Sequence, residues 1–163
     1  MKEEGITISR LFLALLLLVA EFTVPAWGQT TATDWFYKGM ILYDDNKFNE
    51  SIQAYDKAIQ LNPLNEEAWN GKGMDLGTLG RYDEALRAFE RATQINSSYA
   101  EGWFNMGVIF DLKGKYVDAI QAYNSATQIN PSYQKAMVNK NRDIDIVMSS
   151  SLSCSCPNQL PLV

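Results

Sequence analysis

The sequence predicts an all-α protein in which antiparallel helix pairs stack into a solenoid. The first observation is that Trp35, Trp69 and Trp103 recur at a fixed interval of 34 residues. The second is that glycine, aromatic, alanine and asparagine positions keep this interval: Gly39, Gly73 and Gly107; Phe48, Tyr82 and Tyr116; Ala58, Ala92 and Ala126; Asn62, Asn96 and Asn130. Five series in phase indicate a threefold repeat, and this period is typical of a helix-turn-helix unit.

Each repeat is predicted to contain two helices, A and B. Helix A of the first repeat is expected over about 34–44, with Asp34 as its N-cap. Trp35, Gly39 and Leu42 then fall on one face at helical spacing. The same face recurs in the other two repeats, so each helix A is expected to pack through it.

The three recurring glycines lie inside predicted helices, where glycine costs about 1 kcal/mol relative to alanine. We expect a close crossing of helix B over helix A to offset this cost through dispersion contacts. The crossing residues of helix B are predicted to be Ser51, Ala85 and Ala119. Burial of each tryptophan adds roughly 5 kcal/mol, at about 200 Å² and about 25 cal/mol per Å².

Turn residues separate the two helices of each repeat and end the second. Asn46, Gly80 and Gly114 stand at corresponding places between helices A and B. Pro63 and Pro131 are predicted to end helix B in the first and third repeats, because proline lacks an N–H and restricts the residue before it. The second repeat has Ser97 at this place, so its helix B is expected to run slightly longer.

A fourth copy of the pattern begins after the third repeat and stops. Residues 134–148 keep the apolar positions of helix A and are otherwise polar, which predicts a helix that caps the array. Residues 149–163 are rich in serine and are expected to form a disordered tail. The predicted boundaries are repeats at 32–65, 66–99 and 100–133, the capping helix at 134–148 and the tail at 149–163.

The tryptophan, glycine, aromatic, alanine and proline positions together resemble the tetratricopeptide repeat. The resemblance covers about residues 32–133 as three repeats, followed by the capping helix. It implies three antiparallel helix pairs in a right-handed superhelix, with a concave wall built mostly from A helices. In this family that wall commonly holds a peptide or a segment of a partner protein.

The helix A positions one, two and five residues after each tryptophan are expected to face the concave wall. The predicted partner-binding residues are Phe36, Tyr37, Met40, Asn70, Met74, Phe104, Asn105, Val108, Lys135 and Asn139. The wall is then aromatic at its N-terminal end, and amide-bearing and basic toward the C-terminus. Aromatic residues and methionine are common at adaptable binding surfaces, and asparagine can pair with the backbone of a ligand. The alternative is a solvated or self-packed wall.

One known use of this fold, the carboxylate clamp for chaperone C-termini, is excluded. The clamp requires lysine, arginine and asparagine at five places of the wall. Those places hold Phe36, Met40, Gly71, Glu101 and Asn105, which supply none of the charged donors.

Composition argues against nucleic acid binding and catalysis. The chain has 14 basic and 19 acidic residues, a formal net charge of −5 and no histidine. Without a basic cluster, nucleic acid is not an expected partner. Without histidine, the commonest general base and transition-metal ligand are missing. Acidic side chains are assigned to solvent-facing helix positions. We therefore predict no catalytic residues, no metal site and no cofactor.

The N-terminal segment, residues 1–28, is predicted to be a secretory signal. Lys2 and Arg10 precede an apolar run at 11–20, and small residues at 26 and 28 suit cleavage after Gly28. The run has 10 residues, about half of what a membrane-spanning helix needs. The alternative is a membrane anchor retained over residues 11–27. In both cases the protein is expected outside the cytoplasm, secreted or in the cell envelope.

Two smaller signals remain open. Cys154 and Cys156 could form a disulfide with another chain or have no defined role. Asn49 and Asn96 fit the N-glycosylation pattern, which matters only if the host glycosylates exported proteins.

The leading hypothesis for function is an exported adaptor or scaffold. It would bind a peptide or helix of a cell-envelope partner in the concave groove. The alternative is a structural subunit that self-assembles, with repeats stacking end to end through Trp35 and the capping helix into a homo-oligomer.

Overall fold

The computed structural model describes residues 30–153. Within them the chain forms seven helices: α1 (Ala32–Asp44), α2 (Phe48–Leu61), α3 (Glu66–Thr78), α4 (Tyr82–Ile95), α5 (Ala100–Leu112), α6 (Tyr116–Ile129) and α7 (Gln134–Ser153). The pairs α1–α2, α3–α4 and α5–α6 are the three repeats, and α7 packs on α6. This part of the chain has no strand, so the predicted all-α architecture is confirmed. The predicted signal at 1–28 lies outside the described residues.

Helix α1 begins at Ala32, earlier than predicted, because Thr31 is its N-cap. The Thr31 hydroxyl accepts from the backbone N–H of Asp34 at 3.1 Å, and the Asp34 carboxylate accepts from the N–H of Thr31 at 2.8 Å. This reciprocal pair is a capping box. It holds the pKa of the Asp34 carboxyl below its usual value. Asp34 is therefore the third residue of the helix and not its N-cap, as the sequence suggested.

The turns inside the repeats use the predicted residues. Asn46, Gly80 and Gly114 all have positive φ, at 59°, 73° and 69°. This left-handed conformation ends a helix by letting the next N–H groups bond back to its last carbonyls. The N–H of Arg81, for example, donates to the Leu76 carbonyl at 2.8 Å. The predicted turn positions are thus confirmed.

Helix B ends at the same repeat position three times, at Leu61, Ile95 and Ile129. The expected longer helix in the second repeat is therefore wrong. The reason is the asparagine that follows each helix. Its side-chain oxygen accepts from the N–H two residues on, which turns the chain whether or not proline follows. These bonds join Asn62 to Leu64, Asn96 to Ser98 and Asn130 to Ser132.

In each helix A an aromatic ring of the following helix B packs directly against the recurring glycine. A Cβ added to Gly39 would lie 2.6 Å from the ring of Tyr55, and the same holds for Gly107 and Tyr123. The predicted crossing residue Ser51 is also close, since its hydroxyl donates to the Gly39 carbonyl at 2.8 Å. The close crossing is confirmed, but the aromatic ring is the group that requires glycine.

The recurring tryptophans are partly buried and close the loops between repeats. The indole N–H of Trp69 donates to the Pro63 carbonyl at 3.1 Å, and that of Trp103 donates to the Ser97 carbonyl at 3.1 Å. Trp69 packs against the cores of both its own and the preceding repeat. Each of these two tryptophans therefore ties its helix A to the loop that leads into it.

Two acidic residues are fully buried, Asp75 on α3 and Asp143 on α7. The interpretation that acidic side chains face solvent is wrong for both. They stand at one repeat position, six residues after the tryptophan position, which Met137 occupies on α7. Ile109 takes this position on α5, where it is 4% exposed. The position faces the preceding repeat, and hydrophobic packing in one copy is replaced by a buried carboxyl in two others.

Helix α7 continues through Ser153, past the predicted start of the tail at 149. The hydroxyls of Ser149 and Ser150 donate to the carbonyls of Ile146 and Val147 at 2.9 and 2.8 Å. These are local bonds from serine side chains to carbonyls of the preceding turn, a common arrangement for serine within a helix. Among residues 30–153, no helix is long and apolar enough to span a membrane.

Candidate functional site

A cleft of about 500 Å³ lies on the wall formed by α1, α3 and α5. Five of the predicted partner-binding residues line it: Phe36, Tyr37, Met40, Asn70 and Met74. The remaining lining residues are Tyr43, Asp44, Tyr55, Glu67, Gly71, Tyr99 and Glu101. The residues predicted from helix A of the first two repeats are thus brought together in one place.

The N-terminal side of the cleft presents exposed apolar side chains. Tyr37 is 57% exposed and Met40 is 43% exposed. Phe36 is half-buried between them and the core, with its ring 5.6 Å from that of Tyr37 and 6.0 Å from that of Tyr55. A partner that covered this side would remove aromatic and thioether surface from water, which is the main favourable term in association.

Asn70 is held inside the wall and is only 4% exposed. Its Nδ2 donates to Glu101 Oε1 at 3.4 Å, and its Oδ1 accepts from Asn105 Nδ2 at 2.9 Å. The amide therefore joins α3 to α5 across two repeats. Asn70 sets the positions of Glu101 and Asn105 and leaves little of its own surface for a ligand.

A smaller cleft of about 240 Å³ continues the wall toward the C-terminus. Predicted residues Asn105 and Val108 line it together with Met74, which also lines the first cleft. Tyr43 and Met74 line both clefts, so the clefts are neighbours on one wall.

The other predicted residues line neither cleft. Phe104 is half-buried, with its ring 5.7 Å from Tyr123 and 5.0 Å from Tyr133. Asn139 donates from Nδ2 to the Tyr123 hydroxyl at 3.3 Å, so its amide is engaged in packing α7. Lys135 is exposed at the start of α7. These three residues are not brought together with those of the first cleft.

Ion pairing reduces the positive charge that was expected at the C-terminal end of the wall. The Arg142 guanidinium donates to Asp143 Oδ1 at 3.0 Å and also pairs with Asp111. These two carboxylates already neutralise most of the positive charge of Arg142. Lys135 is then the predicted basic residue that remains for a partner.

Sequence reasoning missed the acidic members of the first cleft. Glu67 and Glu101 each stand two residues before a recurring tryptophan, so their shared place was visible in the repeat pattern. Asp44 and the half-buried Tyr99 come from the end of α1 and the loop before α5. Burial first, and then the carboxylates of Glu101 and Glu67, raise the pKa of Tyr99. Because three carboxylates and no lysine or arginine line the cleft, it carries a negative potential.

Within residues 30–153, no group of three or more histidine, cysteine, aspartate or glutamate side chains is arranged to hold a metal ion. Cys154 and Cys156 lie outside the described residues. Of the two glycosylation positions, Asn49 is exposed, whereas Asn96 donates its Nδ2 to Glu66 at 2.9 Å. A glycan on Asn96 would replace a hydrogen of that nitrogen and disturb this bond.

Comparison with protein families agrees with the geometry of the helix pairs. A tetratricopeptide repeat model matches residues 70–133, and a second model, described as TPR repeat, matches residues 39–74. Together they cover more than half of the sequence. The chain belongs to the tetratricopeptide repeat family. A search of curated proteins found no match.

Solved structures show the same fold. The Sgt2 domain from Aspergillus fumigatus has a TM-score of 0.73 and 14% identity, covering 80% of this chain and 88% of that one. The first domain of Spaghetti (RPAP3), bound to the HSP90 peptide SRMEEVD, has a TM-score of 0.70 and 18% identity, covering 74% and 99%. YrrB, described as having an unusual peptide-binding site, has a TM-score of 0.65 and 25% identity, covering 70% and 59%.

Proposed function

We propose that this chain is an adaptor that binds a peptide or helix of a partner protein in the cleft between α1, α3 and α5. Membership of the tetratricopeptide repeat family supports a protein-interaction role. Two structural neighbours, RPAP3 with its HSP90 peptide and YrrB with its peptide-binding site, are peptide-binding proteins of the same fold.

The observation that carries the proposal is the exposed apolar surface of the cleft. Tyr37 and Met40 protrude beside an opening of about 500 Å³, a size that suits a few side chains of a ligand. An exposed apolar patch rimmed by polar residues marks interaction surfaces in monomeric proteins. The rim in this case is formed by Asp44, Glu67 and Glu101.

The double variant Tyr37→Ala/Met40→Ala tests the adaptor role. Both side chains are exposed, so their truncation removes ligand contacts with little effect on folding. Affinity capture from cell-envelope extract, quantified by mass spectrometry, is expected to lose its specific partner at least tenfold. Val117→Ala, at an exposed position of α6 that lines neither cleft, is the matched control. Equal capture by all three proteins would refute the assignment of the cleft.

We also propose that the adaptor acts outside the cytoplasm. The support is the order of residues in 1–28: basic residues, a short apolar run and small residues at 26 and 28. The intact mass of the protein isolated from its own cell is expected to match a chain that starts at Gln29. A mass that retains residues 1–28 in the membrane fraction would instead support an anchor over 11–27, and a cytoplasmic location would overturn the proposal.

Self-assembly is the second candidate, and one observation favours it. Ile41 occupies on α1 the repeat position that is buried as Asp75 and Ile109 in the next repeats, yet it is 63% exposed. This face of helix A is therefore exposed on α1, whereas in each later repeat the preceding repeat covers it. Among the described residues, the uncovered end of the array, called the open end, is therefore centred on Ile41 and not on Trp35. The Trp35 ring lies under the Lys38 ammonium group and packs against the buried cluster around Tyr55 and Ala58.

Sedimentation velocity over a concentration series tests the second candidate. Assembly through the open end predicts an increase in mean mass with concentration that Ile41→Lys abolishes, because an unpaired ammonium group would have to be buried. Val117→Lys introduces the same charge at an exposed position elsewhere and is expected to leave assembly unchanged. A constant monomer mass for the unmodified protein would exclude this function.

A further inference from the structure

The cleft between α1, α3 and α5 carries uncompensated negative charge. Asp44, Glu67 and Glu101 all line it, and no lysine or arginine does. Among residues 30–153, none of these three carboxylates forms an ion pair with a basic side chain. By contrast, Asp56 and Asp83, which lie outside the cleft, are paired with lysines, Lys72 on α3 and Lys113 directly after α5.

The position of Asp44 adds to this charge. It is the last residue of α1, and no basic residue stands in the last turn of that helix. The C-terminal end of a helix already carries a partial negative charge from its free carbonyls, which favours a cation and disfavours a carboxylate. A cation bound beside Asp44 would therefore meet two favourable interactions.

The walls of the cleft suit the stem of a long basic side chain. Phe36, Tyr37, Tyr43 and Tyr99 line it, and aromatic faces attract lysine and arginine. The methylene stems of these side chains also pack along apolar surface while the charged group stays near water. An acidic segment would meet only like charge, because the places of the clamp donors hold Phe36, Met40, Gly71 and Glu101.

We propose that this cleft selects partner segments in which a lysine or arginine side chain is flanked by apolar residues. The inference rests on the proposed adaptor function and specifies its ligand. Glu67 and Glu101 receive the cationic group, and Tyr37 and Met40 cover the flanking apolar side chains. The preference is opposite in sign to that of a clamp for acidic C-termini.

A random peptide library displayed on phage tests the proposal against the immobilised full-length chain. The first protein is unmodified, the second is Glu67→Gln/Glu101→Gln, and the third is Glu90→Gln. Glutamine keeps the shape and one acceptor oxygen, so Glu101→Gln can still accept the bond from Asn70. Glu90 is exposed on α4, away from the cleft, and serves as the matched control.

The expected result is enrichment of peptides with lysine or arginine beside apolar residues on the unmodified protein and on Glu90→Gln. This basic enrichment is lost on the double variant. Enrichment of neutral or acidic peptides, or equal basic enrichment on all three proteins, overturns the charge preference but leaves the adaptor function standing. If the unmodified protein enriches no peptide relative to the variant Tyr37→Ala/Met40→Ala, both proposals fail.

Titration of one enriched basic peptide gives the magnitude. The double variant is expected to bind it roughly tenfold more weakly, the combined effect of two partly exposed charge pairs. Raising salt from about 50 to about 500 mM should weaken binding to the unmodified protein and have less effect on the double variant. An affinity that is insensitive to both changes contradicts a role for Glu67 and Glu101.

Discussion

The ring of Phe89 occupies the space that a side chain on Gly73 would need. A Cβ built on Gly73 would lie 2.6 Å from the nearest ring carbon of Phe89. Both residues are buried, in the repeat between the other two. The pair shows why a residue with poor helix propensity recurs in the middle of helix A.

Gly73→Ala is therefore expected to destabilise the protein, although alanine is the better helix former by about 1 kcal/mol. The ring of Phe89 would have to move in a packed core, and overpacking costs about 1–3 kcal/mol. Urea unfolding followed by circular dichroism measures the loss. Gly77→Ala on the same helix is the control, because its Cβ would meet only the end of the flexible Ile109 side chain, at 2.9 Å. A Gly73→Ala protein more stable than Gly77→Ala would contradict the packing argument.

Asp75 is expected to make stability fall as pH rises. Burial raises the pKa of Asp75 from 3.8 to about 6, and neither carboxyl oxygen has a hydrogen-bond partner among the described residues. The nearby Ser51 hydroxyl donates to Gly39 instead. The folded protein thus binds this proton more tightly than the unfolded chain does. The penalty is absent below pH 4, grows between pH 4 and 6, and reaches up to about 3 kcal/mol above pH 6.

Comparison with Asp75→Asn isolates this effect from other titrating groups. The stability of the variant minus that of the unmodified protein should increase by up to about 3 kcal/mol between pH 4 and pH 7. Unfolding in urea at several pH values gives the difference curve. A flat curve would show that the Asp75 carboxyl does not titrate differently in the two states.

Asn70 is expected to contribute to stability more than to binding. Asn70→Ala leaves the Asn105 amide and the Glu101 carboxylate without their shared partner, which costs about 1–3 kcal/mol. Met40→Ala, at an exposed position of the same cleft, should change stability by about 0.5 kcal/mol or less. Chemical unfolding of both variants decides the matter. Equal stability would mean that the amide bonds between α3 and α5 are weak in solution.

Arg142 is expected to stabilise the capping helix in a pH-dependent way. Burial raises the pKa of Asp143, and the hydrogen bond from Arg142 opposes that rise. Arg142→Ala should raise this pKa further, so the destabilisation is about 1–3 kcal/mol at pH 7 and becomes smaller as the pH falls and the carboxyl takes up its proton. Thermal unfolding over a pH series measures it. Arg87→Ala, an exposed arginine outside these ion pairs, is the control, and an equal effect of the two would refute the prediction.

The repeat boundaries were predictable because local backbone chemistry sets them. Gly80 and Gly114 adopt positive φ, and the asparagine after each helix B turns the chain through its own side chain. These signals act within a few residues, so they can be recognised without knowing the fold. The end of the second helix B does not depend on Ser97 replacing proline, because the side chain of Asn96 turns the chain there.

The buried carboxyls and the acidic cleft were not predictable in the same way. Asp75 shares its repeat position with Ile41 and Ile109, so the periodicity does not show which of them is buried. The cleft brings together Asp44 and Glu101 from separate repeats, and this depends on how three helices are placed side by side. Phe36, Tyr37 and Met40 were predicted because the resemblance implies their positions on the wall. Glu67 lies at a position that it does not imply, and Glu101 indicated from the sequence only that a basic clamp residue was missing.

A ligand lying from Phe36 to Glu101 would touch all three repeats at once. In helical arrays of this kind each unit contacts only its neighbours, so small rotations between units change the curvature of the whole array. A ligand bound across the concave side would oppose such changes in curvature. The bound adaptor would then be stiffer than the free one, and a mechanical pull on one end would reach the other with less stretch.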